Sequence, residues 1–321
     1  MASLRAMRLR MRSVRNISQV TRALEAVSAS KVRRAQQQVL ATRAYASKAY
    51  QVLQHLGAQP GSAGSLHPLL QARTEVRTIT VLLITSDRGL CGAYNTNMVR
   101  TAMDFVRHQK VTVNFVAVGR KGRELLLRRR QRLIAEFTNI ASNPSFVDVS
   151  AIGELAVQEF LSGRADEVYL GYTAYVNTLR QIPRVRPLLP LRPDAEMSME
   201  SAGLTATTAG HSGPAPAYIY EPSQEALLDF VVPRFTALQV YQAILESQAS
   251  EHSARMVAMR NATDSAKDLL GALQLYYNKA RQLSITSDLL DIVGGVEALS
   301  KAANIGGSGL STAASQLLFQ E

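Results

Sequence analysis

The sequence has a single cysteine, Cys91, among its 321 residues. One cysteine excludes an internal disulfide and any metal site built from several cysteines, and it is typical of a reducing compartment. Long apolar runs are missing as well. The strongly apolar stretches, such as residues 79–84, have the length of a strand and fall far short of the roughly 18–20 residues that span a bilayer. The sequence therefore predicts a soluble chain, or one that attaches to a membrane through a partner.

Acidic residues are nearly absent from the first 56 positions. This segment holds eleven basic residues and one acid, Glu25, which gives it a net charge of +10 in a chain whose total is +11. Nucleic acid, lipid head groups and an acidic protein surface are all partners that would fit such a segment. The Arg-rich start also resembles an organelle transit peptide, but the pattern continues far beyond one without a break, which favours the start of a basic helix.

Proline and glycine are absent from residues 4–56, and residues 234–293 contain no proline and one glycine, Gly271. Apolar residues recur at helical spacing in the first segment: Met7, Met11, Val14, Ile17, Val20, Leu24 and Val27. Strict alternation of three and four then follows, as in a coiled-coil seam: Val32, Ala35, Val39, Thr42, Ala46, Ala49, Leu53 and Leu56. The second segment has its own strict seam: Met256, Met259, Thr263, Ala266, Leu270, Leu273, Tyr277 and Ala280.

We expect residues 1–57 and 222–298 to be two long helices that pack against each other as an antiparallel coiled coil. Pairing of each helix with another protein is the alternative, and both can hold, because a two-helix coil cannot bury every apolar residue named above. We expect Ser223 to cap a short helix and Pro233 to interrupt it. Beyond residue 298, Gly306 and Gly307 are expected to break the helix within a C-terminal extension, 299–321.

The segment between the two helices has a different pattern. Residues 76–220 alternate strand-like apolar runs with helix-like stretches, which indicates an inserted Rossmann-like α/β domain with a mostly parallel sheet. Ser150 is expected to cap one of its helices, and residues 217–220 to form a further strand. A stretch of low complexity, 190–217, is predicted to be a mobile loop. The predicted fold class is therefore α/β with a long coiled coil.

The turn TSDRGLCGAYN, residues 85–95, has features of an active site, since it follows a buried strand and contains the only cysteine. It lacks the glycine spacing of a dinucleotide site, and the chain has no G-x-x-x-x-G-K-[ST] motif. The histidines are scattered, so no base is evident for Cys91, and no carboxylate pair stands out. We therefore expect Cys91 to be packed under the turn, and we expect no catalytic residue, metal or cofactor.

Three strings along the chain closely resemble the gamma subunits of F-type ATP synthases: SDRGLCGAYN, EHSARMVAMRNATDSAKDLL and YNKARQLSITSDLLDIVGG. Two further strings, VRNISQVTRALEAVSASKVRRAQ and YIYEPSQEALLDFVVPRF, fit the same family. The resemblance covers both ends and the middle of the chain, apart from residues 190–217 and the extension. Several long motifs in the same order make it specific.

The resemblance implies a rotor. In that family the terminal helices form a shaft inside a hexamer of alpha and beta subunits, and the α/β domain is a foot beside the epsilon subunit and on the membrane ring of c subunits. The gamma subunit is not catalytic. It passes torque between the ring, which proton flow turns, and the nucleotide sites of the hexamer. The resemblance also implies one copy per complex, as a peripheral protein on the cytoplasmic side of a bacterial plasma membrane.

Candidate contact residues follow from the matching motifs. The residues expected to contact the hexamer are Leu24, Arg33, Arg34, Arg255, Arg281, Gln282, Thr286 and Asp288. Those expected to contact the polar loops of the c ring are Tyr218, Tyr220 and Glu221. A basic coiled-coil adaptor or a nucleic-acid-binding protein is the alternative, although no aromatic platform accompanies the positive charge.

Overall fold

The computed structural model describes residues 4–58, 67–191 and 224–317. Several expectations lie outside these residues: the strand at 217–220, the cap at Ser223, and the predicted mobile loop 190–217 apart from its first two residues. Within them the chain divides into two compact units. One is formed by the residues up to Thr21 together with those from Asn261 onward, and the other by Arg22–Arg260.

Two very long helices, α1 (Leu4–Ala58) and α5 (Gln224–Leu317), precede and follow the elements of a sheet domain along the chain. Those elements, in chain order, are a 3-10 turn (Pro68–Leu70), β1 (Thr78–Ile84), α2 (Tyr94–His108), β2 (Thr112–Val118), α3 (Arg120–Arg128), β3 (Leu133–Phe137), α4 (Phe146–Leu161), β4 (Glu167–Tyr175) and β5 (Gln181–Leu189). None of the helices in the described part of the chain combines the length and apolar character that a bilayer crossing requires.

The sheet has the strand order β3-β2-β1-β4-β5. The first four strands along this order are parallel, and β5 is antiparallel to β4. Central parallel strands are covered on both faces, which is why β1 is a continuous apolar run and buried along almost its whole length. The expected mostly parallel sheet, inserted between two long helices, is confirmed.

Alternate residues of β1 point to opposite layers, as the period of a strand requires. Ile79, Val81 and Leu83 join α2 and α3 in one apolar cluster. Leu82 and Ile84 join α4 and the first part of α5 in the other, where Leu228, Val232 and Val240 of α5 are at most 2% exposed. The sheet domain therefore uses the C-terminal long helix as part of one of its own layers.

In the first unit the long helices run antiparallel. Arg8 donates a hydrogen bond of 2.8 Å to the Tyr277 hydroxyl, and the hydroxyls of Thr21 and Thr263 lie 2.7 Å apart. As the residue number rises on one helix, it falls on the other. On α5 the least exposed positions from 259 to 280 include every member of the predicted seam, so that part of the coiled coil is confirmed.

The apolar stripe of α1 is only partly buried, as expected for a coil of two helices. Ile17, Val20 and Val27 are 52%, 58% and 53% exposed. Their neighbours Thr21 and Ser28 are buried instead, which extends the strict spacing of Val32, Ala35 and Val39 back toward the N-terminus. Hydroxyl side chains can occupy a seam because they find partners: Thr21 meets Thr263, and Ser28 donates to the Leu24 carbonyl of its own helix.

The helix expected to start after Ser150 begins earlier. Ser145 caps α4, and its side chain and the Asp148 carboxylate satisfy each other's backbone amides in a capping box. Ser150 lies inside the helix, and its hydroxyl donates to the Val147 carbonyl. The start of the helix is set by the capping box of Ser145 and Asp148, and not by the apolar pattern from which Ser150 was predicted.

Neither Pro233 nor the glycine pair ends α5, contrary to expectation. A proline in a helix interior costs about 3 kcal/mol, but Leu228 and Val232 just before it are fully buried in the core. Gly306 and Gly307 are also helical. A glycine costs only about 1 kcal/mol in a helix interior, because it keeps the N–H that proline lacks.

The end of β1 and the start of α3 approach so closely that only glycine fits at one position. Gly119 has φ 102°, and a Cβ built on it would lie 2.3 Å from the Thr85 carbonyl oxygen. Gly89, in the turn after β1, has nothing within 4 Å of such a Cβ. We expect Gly119→Ala to lower the free energy of unfolding by about 2–4 kcal/mol, through strain and overlap together.

Urea unfolding of the full chain measures this, with Gly89→Ala as the matched control. The control should stay within about 0.5 kcal/mol of the parent. Equal losses in both variants would show that the contact between Gly119 and Thr85 does not constrain the fold.

Candidate functional site

The carboxyl edge of the sheet contains the candidate ligand-binding site. The chain leaves β1 toward β2 and enters β4 from β3, so the strand order reverses between β1 and β4. In open α/β sheets, ligands bind in the crevice outside such a reversal. The elements that line it here are the turn after β1 and the end of β4.

The turn after β1 is held by its own polar side chains. Ser86 receives a hydrogen bond of 2.7 Å from Asn95, and the Ser86 amide donates 3.0 Å to the same side chain. Leu90 and Gly92 adopt left-handed φ angles of 62° and 58°. This conformation turns the chain sharply into α2, and the Ser86 hydroxyl donates a hydrogen bond of 2.7 Å to the Arg88 carbonyl within the turn.

Cys91 is packed beneath the turn, as predicted. It is 2% exposed, and its sulfur accepts a hydrogen bond of 3.2 Å from Asn95. Burial raises the pKa of the thiol, although Ser86 and Arg255 oppose the shift. The thiolate that a nucleophile needs is therefore disfavoured. His108, at the end of α2, is exposed and bonds to the Asp104 carbonyl.

A helix fills the crevice where a ligand would bind in a related sheet. The Ser247 hydroxyl of α5 accepts from the Thr173 amide of β4 at 3.2 Å, and the Ser250 hydroxyl donates to the Thr173 carbonyl at 3.0 Å. On the other side of the crevice, the Tyr94 hydroxyl donates to the Ser247 carbonyl at 3.2 Å. We call the turn 86–95, Thr173 and residues 247–255 the turn–helix junction.

Arg255 closes the junction. Its guanidinium donates to the carbonyls of Gly89 and Arg88 at 3.3 Å and to the Glu251 carboxylate at 2.7 Å. The side chains of Arg255 and Glu251 are only 12% and 15% exposed. Burial raises the pKa of Glu251 and outweighs the opposing effect of Arg255. A planar cation with several donors suits this position, because it can serve a carboxylate and two carbonyls together.

A second group of contacts ties the loop after β3 to both long helices. From α5, Tyr241 donates to the Pro144 carbonyl and Gln248 to the Ala141 carbonyl. From α1, Lys31 donates to the Ser142 hydroxyl at 3.1 Å and Gln38 bonds to Asn143. The carboxyl edge of the sheet is therefore occupied by helical side chains at two places.

The amino edge of the sheet has an open cavity of about 690 Å³ lined in part by Arg73, Arg77 and Asp166. Burial works to raise the pKa of Asp166, but hydrogen bonds from the Arg77 and Thr78 amides and from Arg73 outweigh it and lower the pKa. This carboxylate is thus fully used in fastening the segment before β1. Among the described residues, no cluster of His, Cys, Asp and Glu could hold a metal ion.

The structure separates the predicted contact residues into groups. Arg281, Gln282, Thr286 and Asp288 are exposed in the first unit, and Arg33 and Arg34 are exposed in the second, where Leu24 is half-buried. Arg255 differs from these, since its donors are taken up by the junction. Tyr218, Tyr220 and Glu221 lie outside the described residues.

Sequence reasoning missed the junction itself. Its one visible signal is the three-residue spacing of Ser247, Ser250 and Ser253, which repeats a hydroxyl group along α5. All three are at most 2% exposed. The hydroxyls of Ser247 and Ser250 bond to the backbone of β4, whereas that of Ser253 finds no partner among the described residues.

Comparison with known proteins agrees with the fold. The family model described as "ATP synthase" matches residues 3–299. A protein of Dehalococcoides mccartyi named "ATP synthase gamma chain" is 47% identical over 300 residues, covering 94% of this chain and all of the relative. A protein of the same name from Herpetosiphon aurantiacus is 46% identical over 309 residues, with the same coverage of both chains.

Solved structures give the same picture. A chain from the central stalk and c-ring of the Tetrahymena thermophila mitochondrial ATP synthase aligns with a TM-score of 0.56 at 26% identity, covering 76% of this chain and 99% of that one. A chain of the Euglena gracilis mitochondrial ATP synthase aligns with a TM-score of 0.63 at 23% identity, covering 92% and 94%. Nothing in these similarities supports a nucleic-acid-binding or adaptor protein.

His252 gives the junction a dependence on pH. It is 5% exposed, and Nε2 finds no hydrogen-bond partner in the described part of the chain. Burial, with Arg255 and Lys31 nearby, lowers its pKa from 6.5 to about 4. Because the unfolded chain takes up the proton first, stability is full above pH 6.5 and is lost as the pH falls toward 4. We expect His252 alone to cost roughly 2–3 kcal/mol between pH 7 and 4.5.

The measurement is urea unfolding at both pH values for the parent and for His252→Gln. The variant should lose less stability on acidification by that amount. His108→Gln, at an exposed histidine, is the control and should behave as the parent. An identical pH response in all three proteins would contradict the assignment of the effect to His252.

Proposed function

The chain belongs to the ATP synthase gamma chain family, and we propose in detail how it works as the rotor of that complex. A gamma chain is the central, non-catalytic subunit, which transmits torque to catalytic sites on other subunits. One copy of this chain would be present in each complex, in contact with a hexamer of alpha and beta subunits, an epsilon subunit and a c ring.

The observation that carries the proposal is a bare apolar end of α5. The two cross-helix contacts of the first unit pair residue 8 with 277 and 21 with 263, so α1 begins opposite residues near 281. From there to residue 300 every side chain of α5 is exposed. Eight of them are large and apolar and are 48–73% exposed: Leu283, Ile285, Leu289, Leu290, Ile292, Val293, Val296 and Leu299.

Such a surface needs a partner, because soluble proteins rarely leave contiguous apolar patches in water. A hexamer with an apolar inner wall would cover this end of the helix from all sides. Arg281, Gln282, Thr286 and Asp288 lie at the start of this end and would meet the hexamer there. An apolar wall without directional hydrogen bonds would also let the helix turn within it.

Charge would supply the second contact with the hexamer. Arg33 and Arg34 are exposed on a helix segment whose one acid is Glu25, and Leu24 lies near them in sequence. Attraction between exposed opposite charges acts over several ångströms and tolerates changes of register. A rotor that passes three similar partners in turn benefits from such attraction more than from a close-fitting contact.

The foot contacts and the location are proposed from the family. Tyr218, Tyr220 and Glu221 would meet the polar loops of the c ring, with the epsilon subunit beside the sheet domain. The chain would then be peripheral to a bacterial plasma membrane, on its cytoplasmic side, and would take part in hydrogen ion transport only by turning with the ring. No cofactor is needed for this role.

Reconstitution tests the role directly. The chain is expressed with the alpha and beta subunits of its own organism, and a bead is attached at Lys110→Cys, an exposed position, in a Cys91→Ser background. We expect one copy per purified hexamer and ATP-driven rotation of the bead. Salt-sensitive binding to nucleic acid, without assembly into a hexamer, would overturn the proposal.

Charge reversal tests the proposed hexamer contact of α1. Arg33→Glu with Arg34→Glu should weaken binding to the hexamer by about fivefold at low salt, since each exposed pair contributes at most about 1 kcal/mol. The difference should shrink in 1 M salt, where the screening length is about 3 Å. Binding is measured by titration of labelled chain with the hexamer.

The matched control is Arg128→Glu with Arg129→Glu, an equal change of charge at exposed positions of the sheet domain. It should leave the affinity for the hexamer unaltered. Equal weakening by both pairs would mean that only net charge matters, and Arg33 and Arg34 would then lose their assigned contact.

A further inference from the structure

The turn–helix junction has no assigned role in the proposed function, although it is the most polar buried contact between a long helix and the sheet domain. Its members come from distant parts of the chain: 166 residues separate Arg255 from Gly89, and 153 separate Ser247 from Tyr94. All belong to the second unit. A contact of this kind is formed only when the whole unit has folded.

The positions of the hydrogen bonds in the junction determine which movements of α5 they oppose. The Ser247 and Ser250 hydroxyls hold one residue of β4, Thr173, through both its amide and its carbonyl. Arg255, a little more than one turn further along α5, holds the carbonyls of the turn after β1. The helix is thus bonded to both sides of the crevice, and rotation of α5 about its own axis would stretch contacts on one side or the other.

Loss of the Arg255 side chain would remove hydrogen bonds to three groups at once. Its Nε and Nη2 reach the Gly89 carbonyl, and Nη2 also reaches Arg88 and Glu251. Hydrogen bonds to charged groups are about twice as strong as neutral ones, and more so where water is excluded. Glu251 fixes the guanidinium from within the same helix, and movement of Arg255 out of the turn would leave this largely buried carboxylate without its cation.

We propose that Arg255 is a positioning residue for torque: through the Arg88 and Gly89 carbonyls it locks α5 to the sheet domain, so that rotation of the one is passed to the other. The proposal rests on the rotor function. It assigns Arg255 to a contact within the chain and not to the hexamer. A lysine would not replace it, because its ammonium ends one bond short of Nη2, the nitrogen that meets Glu251 and both carbonyls, and because it lacks the second donor, Nε.

The test uses the assembled complex with the hexamer fixed and a bead on the sheet domain. In Arg255→Ala and Arg255→Lys we expect wider angular fluctuations of the bead during the pauses between steps, and fewer protons pumped per ATP hydrolysed. Amide exchange in residues 86–92 should become about tenfold faster, the fold-change for losing roughly one charged hydrogen bond. Lys267→Ala, which removes an exposed ion pair to Asp264 on the same helix, is the control and should match the parent.

A disulfide offers a rescue that a merely structural role would not predict. A Cβ built on Gly92 lies 3.8 Å from the Cβ of Ala258, which is the mean separation of the two Cβ atoms in disulfides, about 3.8 Å. Gly92→Cys with Ala258→Cys, made together with Cys91→Ser and Arg255→Ala, would join the turn to α5 by a covalent bond. An added oxidant removes two electrons and two protons from the thiols, and dithiothreitol returns them.

We expect the oxidised protein to regain the narrow fluctuations and the pumping ratio of the parent, and to lose both on reduction. Unchanged fluctuations in Arg255→Ala would overturn the proposal, and so would a softened rotor that the disulfide fails to stiffen. A weaker affinity for the hexamer with normal stiffness would instead return Arg255 to the hexamer contacts. Failure of the rotor function itself is distinguishable, because the parent chain would then neither assemble nor turn.

Discussion

The structure depends on how the carboxyl edge of a parallel sheet satisfies its backbone groups. At the point where strand order reverses, the pairing of β4 with β1 ends at Gly171, so the amide and carbonyl of Thr173 lie beyond β1, and the carbonyls of Arg88 and Gly89 belong to the turn that follows it. Buried groups of this kind must be hydrogen-bonded or they destabilise the fold. In many α/β proteins a ligand or water supplies the partners. Here Ser247, Ser250 and Arg255 of α5 supply them, so the place of a binding site becomes the place of attachment for a helix.

That attachment requires small residues where backbones approach. A Cβ on Gly153 of α4 would lie 2.7 Å from the Ala237 Cα of α5, so any larger side chain at either position would separate the two helices. Ala243 and Ala249 are also buried on α5. Small side chains bring the axis of α5 near the sheet domain, and only then are the serine hydroxyls, with their short reach, able to bond to β4. Packing distance and polar chemistry therefore depend on each other.

Sequence patterns predicted the two long helices, the seam of α5 and the mostly parallel sheet, because the local signals agreed for each of them. The seam of α5 from Met259 to Ala280 was readable because apolar and polar positions separate cleanly. On α1 the helical period did not distinguish the buried apolar residues from the exposed Ile17, Val20 and Val27, since residues on different faces of one helix can share that period. The burial around Pro233, and the contact between Arg255 and Gly89 across 166 residues, arise from tertiary packing. No local pattern contains them.

The two kinds of surface along α5 make opposite physical demands, and the sequence meets them with opposite chemistry. Near Arg255 the helix must not slip, and its contacts are polar, charged and directional, so a displacement of the helix breaks hydrogen bonds. From Leu283 to Leu299 the helix exposes apolar side chains without fixed bonding directions, whose attraction to an apolar wall changes little with angle. A chain built to rotate against its partners while staying rigid within itself needs both. With directional polar contacts at residues 283–299, α5 would be held fixed against its partners. With purely apolar contacts at the junction, it would be free to turn against the sheet domain of its own chain.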